Sequence, residues 1–499
     1  MQARHLFLVA AIVAPALTLA QEVGSANAAS NTPGESPPSV GAPAAYMPGA
    51  ALPAASLPVP GIAPVGISSF GPAPLEYTQY GASVGVGATD NVNLSATHQK
   101  AQALAAASLF FDLIRTGSRL KLTALGNFSD INYLEHAYKN QVLGRFDGLA
   151  NLTLWQRHLT WLVRDDYGDS QIDPLQALTP TNIQRVNVFS TGPTLTLQPS
   201  LNSFVELQGL YSRNTYQDSP FSGNTGTASF TLGHQFSPSD SISIVGRVQQ
   251  ERFDNTTLNP DYQVREYYGE YSLKGSRTVL DLQAGLDQAN DAGSWRSSPL
   301  VRVSITRNVS PFSTVSLTGG RDYINAMGGF ASLGAGISSG IPVGGVAQTT
   351  ANADHTYGNA SWAFRRLRTT LSLFGGWERD AYDRESQFDF SRTDLGITLG
   401  RQLTPFLSAN VTGTLDRSKY TAQGFTNDNG RVDAAVVYRP GAWVVITGRY
   451  DHQLWRASGV VANGLGYDEN RVFIMIGYYP HSSGTGAPGQ GGMGMGGTM

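Results

Sequence analysis

The sequence predicts an all-β fold, a transmembrane antiparallel β-barrel of about twenty strands (roughly 18–22), with short periplasmic turns and longer extracellular loops. Three observations predict it. From Tyr77 onward, segments of about ten residues alternate strictly between apolar and polar side chains, as strands with one lipid face and one wet face must. Short connections and long ones take turns along the whole chain. The composition, 41% hydrophobic and 14% charged over 499 residues, is under-charged for a water-soluble protein, yet no apolar run suits a membrane helix.

The amino-terminal residues 1–20 read as a secretory signal peptide. Arg4 stands in a short polar start, an apolar stretch runs from Leu6 to Leu19, and small residues follow around Ala20. Ala26-Asn27-Ala28 offers a second cleavage point up to residue 28. Pro15 and the short length argue against a retained membrane helix. Residues 21–76 are rich in Pro, Ala and Gly, as in Pro37-Pro38 and Leu57-Pro58-Val59-Pro60. This composition supports neither helix nor ladder, so a disordered periplasmic linker is expected.

Residues 77–480 are the expected barrel. Leu407, Ala409, Val411, Gly413 and Leu415 share one face, and Ser408, Asn410, Thr412, Thr414 and Asp416 share the other. The same alternation runs through Leu120–Phe128, Leu280–Asp287 and Val301–Thr306. A soluble sandwich also alternates, so the connections supply the discrimination.

Nine tight turns are expected near Thr116–Arg119, Trp155–Arg157, Pro199–Asn202, Ser237–Asp240, Lys274–Arg277, Asn308–Pro311, Arg365–Arg368, Leu403–Pro405 and Arg439–Ala442. Ten longer polar stretches separate them, near Asn91–Lys100, Leu134–Gln141, Asp165–Ile183, Asn214–Thr225, Asn255–Pro260, Ala289–Trp295, Ile324–Ala353, Asp380–Gln387, Ser418–Gly430 and His452–Tyr467. Ten outer loops and nine inner turns require an even strand number with both termini in the periplasm of the cell outer membrane. Trp155, Trp161, Trp362, Trp377, Trp443, Trp455, Tyr478 and Tyr479 suit aromatic girdles at the two membrane surfaces. After a last strand at Arg471–Tyr479, residues 481–499 form a Gly- and Met-rich tail read as disordered.

Chemistry is sparse. Zero cysteines exclude disulfides, thiolate metal sites, cysteine nucleophiles and a lipoprotein anchor. A net charge of -3, from 34 Lys+Arg and 37 Asp+Glu, leaves no basic footprint, so no nucleic-acid partner is expected. The dense polar run Arg164–Pro174 lacks the spacing of a calcium loop and reads as a solvated outer loop. His158 and His234 fall on expected strands and serines abound, but abundance is not geometry, so no catalytic residue, enzyme activity, cofactor or metal is assigned. Met493, Met495 and Met499 lack the partners of a soft-metal site. The Gly-rich stretch 328–345 is the longest loop, and two readings stay open for it, an inward constriction or a flexible surface loop.

The expected lumen-facing side chains are Lys121, Glu206, Gln208, Arg247, Gln249, Glu266, Glu270, Asp281, Arg302, Asp394, Asp433, Arg449 and Asp451. This wall of mixed charge, amides and hydroxyls suits hydrated, hydrogen-bonding solutes such as sugars better than strongly selected ions.

Thr89-Asp90-Asn91-Val92, the run Trp161–Pro174, the run Leu178–Asn187 and Thr191-Gly192-Pro193 form a pattern that resembles the putative β-barrel porin type 2 family. That group includes outer-membrane barrels associated with exosortase and PEP-CTERM exopolysaccharide systems. The resemblance implies an outer-membrane barrel over roughly Tyr77–Tyr479 that exports polysaccharide. It carries no catalytic residues. The expected reading is a monomeric-type channel for exopolysaccharide, with a general diffusion porin and a closed structural or adhesin barrel as alternatives. Its expected partners are outer-membrane lipid and lipopolysaccharide, the barrel assembly machinery and inner-membrane polysaccharide export components.

Overall fold

In a computed structural model of the chain, residues 76–480 are described except 173–175, 178, 258, 292, 325–351, 383–385 and 460–465. The expectations for the signal peptide, the linker, the Gly-rich stretch 328–345 and the tail therefore lie outside the described residues.

Twenty antiparallel strands follow one another around a single sheet. They are β1 (Glu76–Thr89), β2 (Gln102–Thr116), β3 (Leu120–Tyr133), β4 (Gln141–Trp155), β5 (Leu159–Gln171), β6 (Ile183–Ser200), β7 (Ser203–Tyr216), β8 (Gly223–Ser237), β9 (Asp240–Phe253) and β10 (Tyr262–Lys274). The second half comprises β11 (Thr278–Asp291), β12 (Ser294–Ser310), β13 (Ser313–Ile324), β14 (Ala353–Arg366), β15 (Thr369–Tyr382), β16 (Phe390–Thr404), β17 (Leu407–Tyr420), β18 (Phe425–Tyr438), β19 (Val444–Gly459) and β20 (Gly466–Tyr478). Each pairs with its neighbours in sequence, and β1 closes on β20 from Ala82 opposite Tyr478 to Thr89 opposite Arg471. Closure removes both sheet edges, which is what a hydrocarbon solvent demands of backbone groups.

Alternation sorts the side chains. Val84, Val86, Leu109, Ile244, Leu395, Leu415, Ile474 and Ile476 are exposed on the outer face. On the inner face Glu251, Asp287, Arg302, Asp322, Asp451 and Glu469 are buried. An apolar belt outside a polar interior is the pattern of a barrel that spans a bilayer.

All nine short turns fall where the sequence places them, and β1 begins and β20 ends at that same rim. Register shifts at Thr153/Trp155, Leu197/Ser200, Gln235/Ser237, Asn308/Ser310 and Gln402/Thr404 sit beside these turns, where bulges bend strands into tight connections. Within β6, Pro193 has no N–H to donate, and the ladder to β7 skips from Thr191 to Thr194 without changing register. Next to it, a Cβ on Gly192 would stand 1.9 Å from the carbonyl oxygen of Gly209, so only glycine fits that close approach.

The long-loop rim differs from expectation. Three of the stretches read as loops, Ala289–Trp295, Ser418–Gly430 and His452–Tyr467, are largely strand, and strand also enters Asp165–Ile183 and Asn214–Thr225 from both ends. β5 continues to Gln171, β19 to Gly459, and only residues 292–293 separate β11 from β12. The last strand likewise starts at Gly466 rather than Arg471. The strands run from 12 to 18 residues, longer than the 9–11 or so that cross a bilayer, so the walls rise past the apolar belt. Ladder pairing persists there although polar residues enter both faces, and the alternation that marks a strand in the sequence is blurred.

The girdle expectation is also corrected in part. Trp155, Trp161, Trp377, Trp443 and Tyr478 are exposed on the outer face. Trp362 shares that face through its pairing with Val315 and donates Nε1–H to Ser313 Oγ at 2.7 Å. Trp455 turns inward and is buried, and the Tyr479 ring packs on Phe110 of the inner face at 5.3 Å.

Candidate functional site: the lumen wall

Parity along each strand places all thirteen expected lumen residues on the inner face. Glu206 and Gln208 share theirs with buried Ser212 and Asn214 on β7, and Arg247 and Gln249 with buried Val245 and Glu251 on β9. Glu266 and Glu270 line β10, Asp281 the β11 position opposite Ser304, Arg302 β12, and Asp394 β16. Asp433 stands on β18 opposite Asp451, with Arg449 two residues before it on β19. Lys121 shares a face with buried Ser129 but is itself exposed near the short-turn rim.

The structure brings several of these together through partners that the sequence reading did not name. Arg302 donates from Nε to Asp322 at 2.5 Å, from Nη2 to Glu266 at 3.2 Å and from Nη1 to Gln283 at 3.2 Å. Arg247 adds a second cation to Glu266 at 3.6 Å, and Gln283 donates to Glu270 at 3.0 Å. Across the barrel, Asp451 accepts from Arg431 Nε at 2.6 Å and from Arg471 Nη2 at 2.8 Å. Arg471 also lies 3.5 Å from Glu469, which accepts from Thr89 Oγ1 at 2.6 Å. That bond ties the charge network across the β20–β1 closure. Arg449 pairs with Asp433 at 2.5 Å.

Between these clusters, Arg392 lies 3.9 Å from Glu378 and 3.8 Å from Asp416, and Asp416 stands opposite Asp394. His355 Nδ1 meets Asp380 at 2.5 Å, and its ring stacks on Tyr357. On the first strands Arg164 pairs with Asp166 at 2.7 Å. Glu206 accepts from Thr196 at 3.4 Å, and Gln208 donates to Thr194 at 3.1 Å.

Arg431 was findable by counting in twos from a residue already placed, since it is two before Asp433, whereas Glu378 and Arg471 lie on strands for which no inward residue had been named. Asp166 and Asp380 were hidden because their segments read as loops. The run Arg164–Gln171 is strand rather than solvated loop, with Asp165 accepting from Asn187 Nδ2 at 3.0 Å and Asp169 accepting from the Gly144 N–H at 2.6 Å. His158 is in the turn after β4 rather than on a strand. His234 lies exposed on the outer face of β8, with Nδ1 3.1 Å from Ser203 Oγ. Among the described residues no group of three or more His, Asp or Glu is placed to hold a metal ion.

Toward the long-loop rim the inner wall changes character. Three buried apolar clusters stand there: Leu104, Ile131, Tyr133, Leu143 and Phe473 on one side, Phe253, Tyr262 and Tyr323 on another, and Tyr420, Phe425, Trp455 and Tyr467 on a third. The segment joining β1 to β2 reaches in among them. Its Val92 joins the first cluster and its Leu94 the third, while Ala177 from the segment between β5 and β6 also packs on the third.

The class that the fold and its wall define is a membrane-spanning antiparallel β-barrel with a charge-lined interior. The chain is similar in fold to the siderophore receptor PirA from Acinetobacter baumannii, with a TM-score of 0.43, 9% identity, and 81% of this chain and 80% of that one covered. It is similar to the ferric citrate transporter FecA, with a TM-score of 0.40 and 10% identity over 82% and 79%. It is also similar to Acinetobacter baumannii OccAB4, with a TM-score of 0.34 and 11% identity over 82% and 99%. No protein-family model matches the sequence, and no curated protein matches it.

Proposed function

We propose that this protein is an outer-membrane channel that passes a hydrophilic, hydrogen-bonding solute, and that the solute is a polysaccharide moving outward. The observation that carries the reading is the pairing of the lumen charges. Arg302 with Glu266 and Asp322, Arg431 and Arg471 with Asp451, and Arg449 with Asp433 neutralise one another locally. A wall of paired charges, amides and hydroxyls offers many hydrogen bonds with little net field, which favours sugars over ions. The resemblance of Thr89–Val92 and the runs after Trp161 to exopolysaccharide-associated barrels supports the finer step.

In this reading the short-turn rim and both termini face the periplasm, and lipopolysaccharide surrounds the long-loop end. The assembly machinery inserts the barrel, and inner-membrane export components supply polymer and energy. The channel itself works passively and performs no covalent chemistry. The same paired wall also favours a second reading, a diffusion porin for small neutral solutes.

Deleting the gene and measuring exopolysaccharide inside and outside the cell separates the two. Polymer lost outside and accumulating in the periplasm is the expected result. Unchanged secretion, with slower uptake of small sugars, selects the diffusion porin.

A further inference from the structure

At the long-loop mouth, five consecutive strands each send an aromatic ring inward. Phe390 of β16, Tyr420 of β17 and Phe425 of β18 form one row, with ring centroids 5.7 and 6.0 Å apart. Trp455 of β19 and Tyr467 of β20 continue it, stacked at 5.7 Å with 28° between planes. Barrel stability does not require apolar side chains at this height, because the walls there stand beyond the apolar belt. Rings that would otherwise meet water have to be covered by the chain or by a ligand.

The cover is small. Leu94 is buried against the rings, while residues 95–101 of the same segment are partly or fully exposed. Leu94 holds φ at +49°, in the left-handed region that costs a side chain with a Cβ. Its segment is held by Asn91, whose Nδ2 donates to the carbonyls of Ser95 and Asp468, both at 2.8 Å. A strained residue carrying one apolar side chain into an aromatic mouth is the design of a removable stopper.

A second, independent observation points to what replaces it. Asn427 lies on the inner face of β18 between Phe425 and Asn429, and Asn429 stands opposite Trp455. Asn427 is 8% exposed and its Oδ1 accepts no hydrogen bond; Gln453 is 1% exposed and its Nε2 donates none. Buried amide atoms without partners are costly, so an acceptor and a donor beside an aromatic row describe a site awaiting a ligand with hydroxyls. A pyranose ring has that chemistry: an apolar C–H face to lie on the rings and hydroxyls at its edge for the amides.

We propose that Phe390, Tyr420, Phe425, Trp455 and Tyr467 form a saccharide-stacking platform at the channel mouth, closed by Leu94 and completed by Asn427 and Gln453. The inference deepens the channel reading by naming the solute as a chain of sugar rings, and it rests on that reading for direction of transport.

The test is calorimetric titration of the detergent-purified, full-length barrel with cellohexaose, alongside conductance of the same preparation in planar bilayers. Leu94→Gly suits the φ of +49° and removes only the stopper, so it is expected to bind about tenfold more tightly than the parent, the gain from removing a competing closed state. Adding Trp455→Ala to Leu94→Gly abolishes that gain, and Trp455→Phe keeps most of it. If Leu94→Gly binds the hexasaccharide no differently from the parent, or if the gain survives the addition of Trp455→Ala, the platform is overturned. Because Leu94→Gly alters a connecting segment, the first of these outcomes holds even if Trp455→Ala fails to fold. Conductance without binding overturns the platform and leaves the channel standing. Binding without conductance in any variant supports the platform and overturns the channel.

Discussion

Asp451 shows how much one lumen side chain holds. Its carboxylate is 1% exposed and sits between two guanidiniums, Arg431 and Arg471, themselves 7% and 6% exposed. Replacing it with Ala leaves two cations buried without their shared counter-charge, so Asp451→Ala is expected to destabilise the barrel by about 3 kcal/mol, and Asp451→Asn by less. The urea midpoint of the folded barrel in detergent checks this; an unchanged midpoint means that the arginines find other acceptors. Outside the strands, Asp254 is held below the usual carboxylate range by the Arg213 guanidinium, which donates to it at 2.7 and 2.6 Å. That pair is exposed, so its loss should be worth at most about 1 kcal/mol. Ionic chemistry alone does not rank these two aspartates. Burial does.

Neighbouring strands are matched through glycine as well as charge. Phe111 covers Gly126, Phe128 covers Gly144, Phe204 covers Gly233 and Phe374 covers Gly396, each across one ladder position. A Cβ on Gly233 would stand 2.1 Å from the Phe204 ring, so Gly233→Ala is expected to cost about 1–3 kcal/mol through displacement of that ring. Adding Phe204→Leu should recover part of the loss, since residues in contact do not act additively; additive losses in the urea midpoint would show that the ring is not the cause. The β4–β5 pair is matched differently. Its ladder stops at Phe146 opposite Tyr167, although both strands continue, and the Asp169 carboxylate takes the Gly144 N–H in place of a backbone carbonyl. Asp169→Ala should therefore speed amide exchange at residues 141–145 while the rest of the barrel keeps its protection. Equal protection in both forms would mean that the seam is closed by the ladder itself. The strands were legible wherever apolar and polar residues alternate, as in Leu407–Asp416. They were not legible in Asp165–Gln171, where both faces of the wall are polar, or in His452–Gly459, where Trp455 and Ala457 turn inward among polar residues and Leu454 alternates with His452 and Arg456, so period two leaves no clear trace.

Taken as one molecule, the barrel should conduct with weak ion preference, because its lumen cations and anions lie within contact distance of each other. Arg302→Gln leaves Glu266 and Asp322 without their shared cation, and the reversal potential under a salt gradient should move toward cation preference. A reversal potential that stays put would place the Arg302 cluster away from the conducting path.

By itself the sequence determined the class of solvent on each face, the nine tight turns and the approximate strand number, because each follows from local periodicity and turn chemistry. It pointed to polar chemistry inside without saying which charge meets which. Only the tertiary structure decided that Asp451 on β19 lies between Arg431 and Arg471, that Glu469 on the last strand bonds to Thr89 on the first, and that Leu94 enters an aromatic row that starts at Phe390, far away in sequence. Those contacts depend on stagger and closure of the whole sheet, which no local pattern encodes.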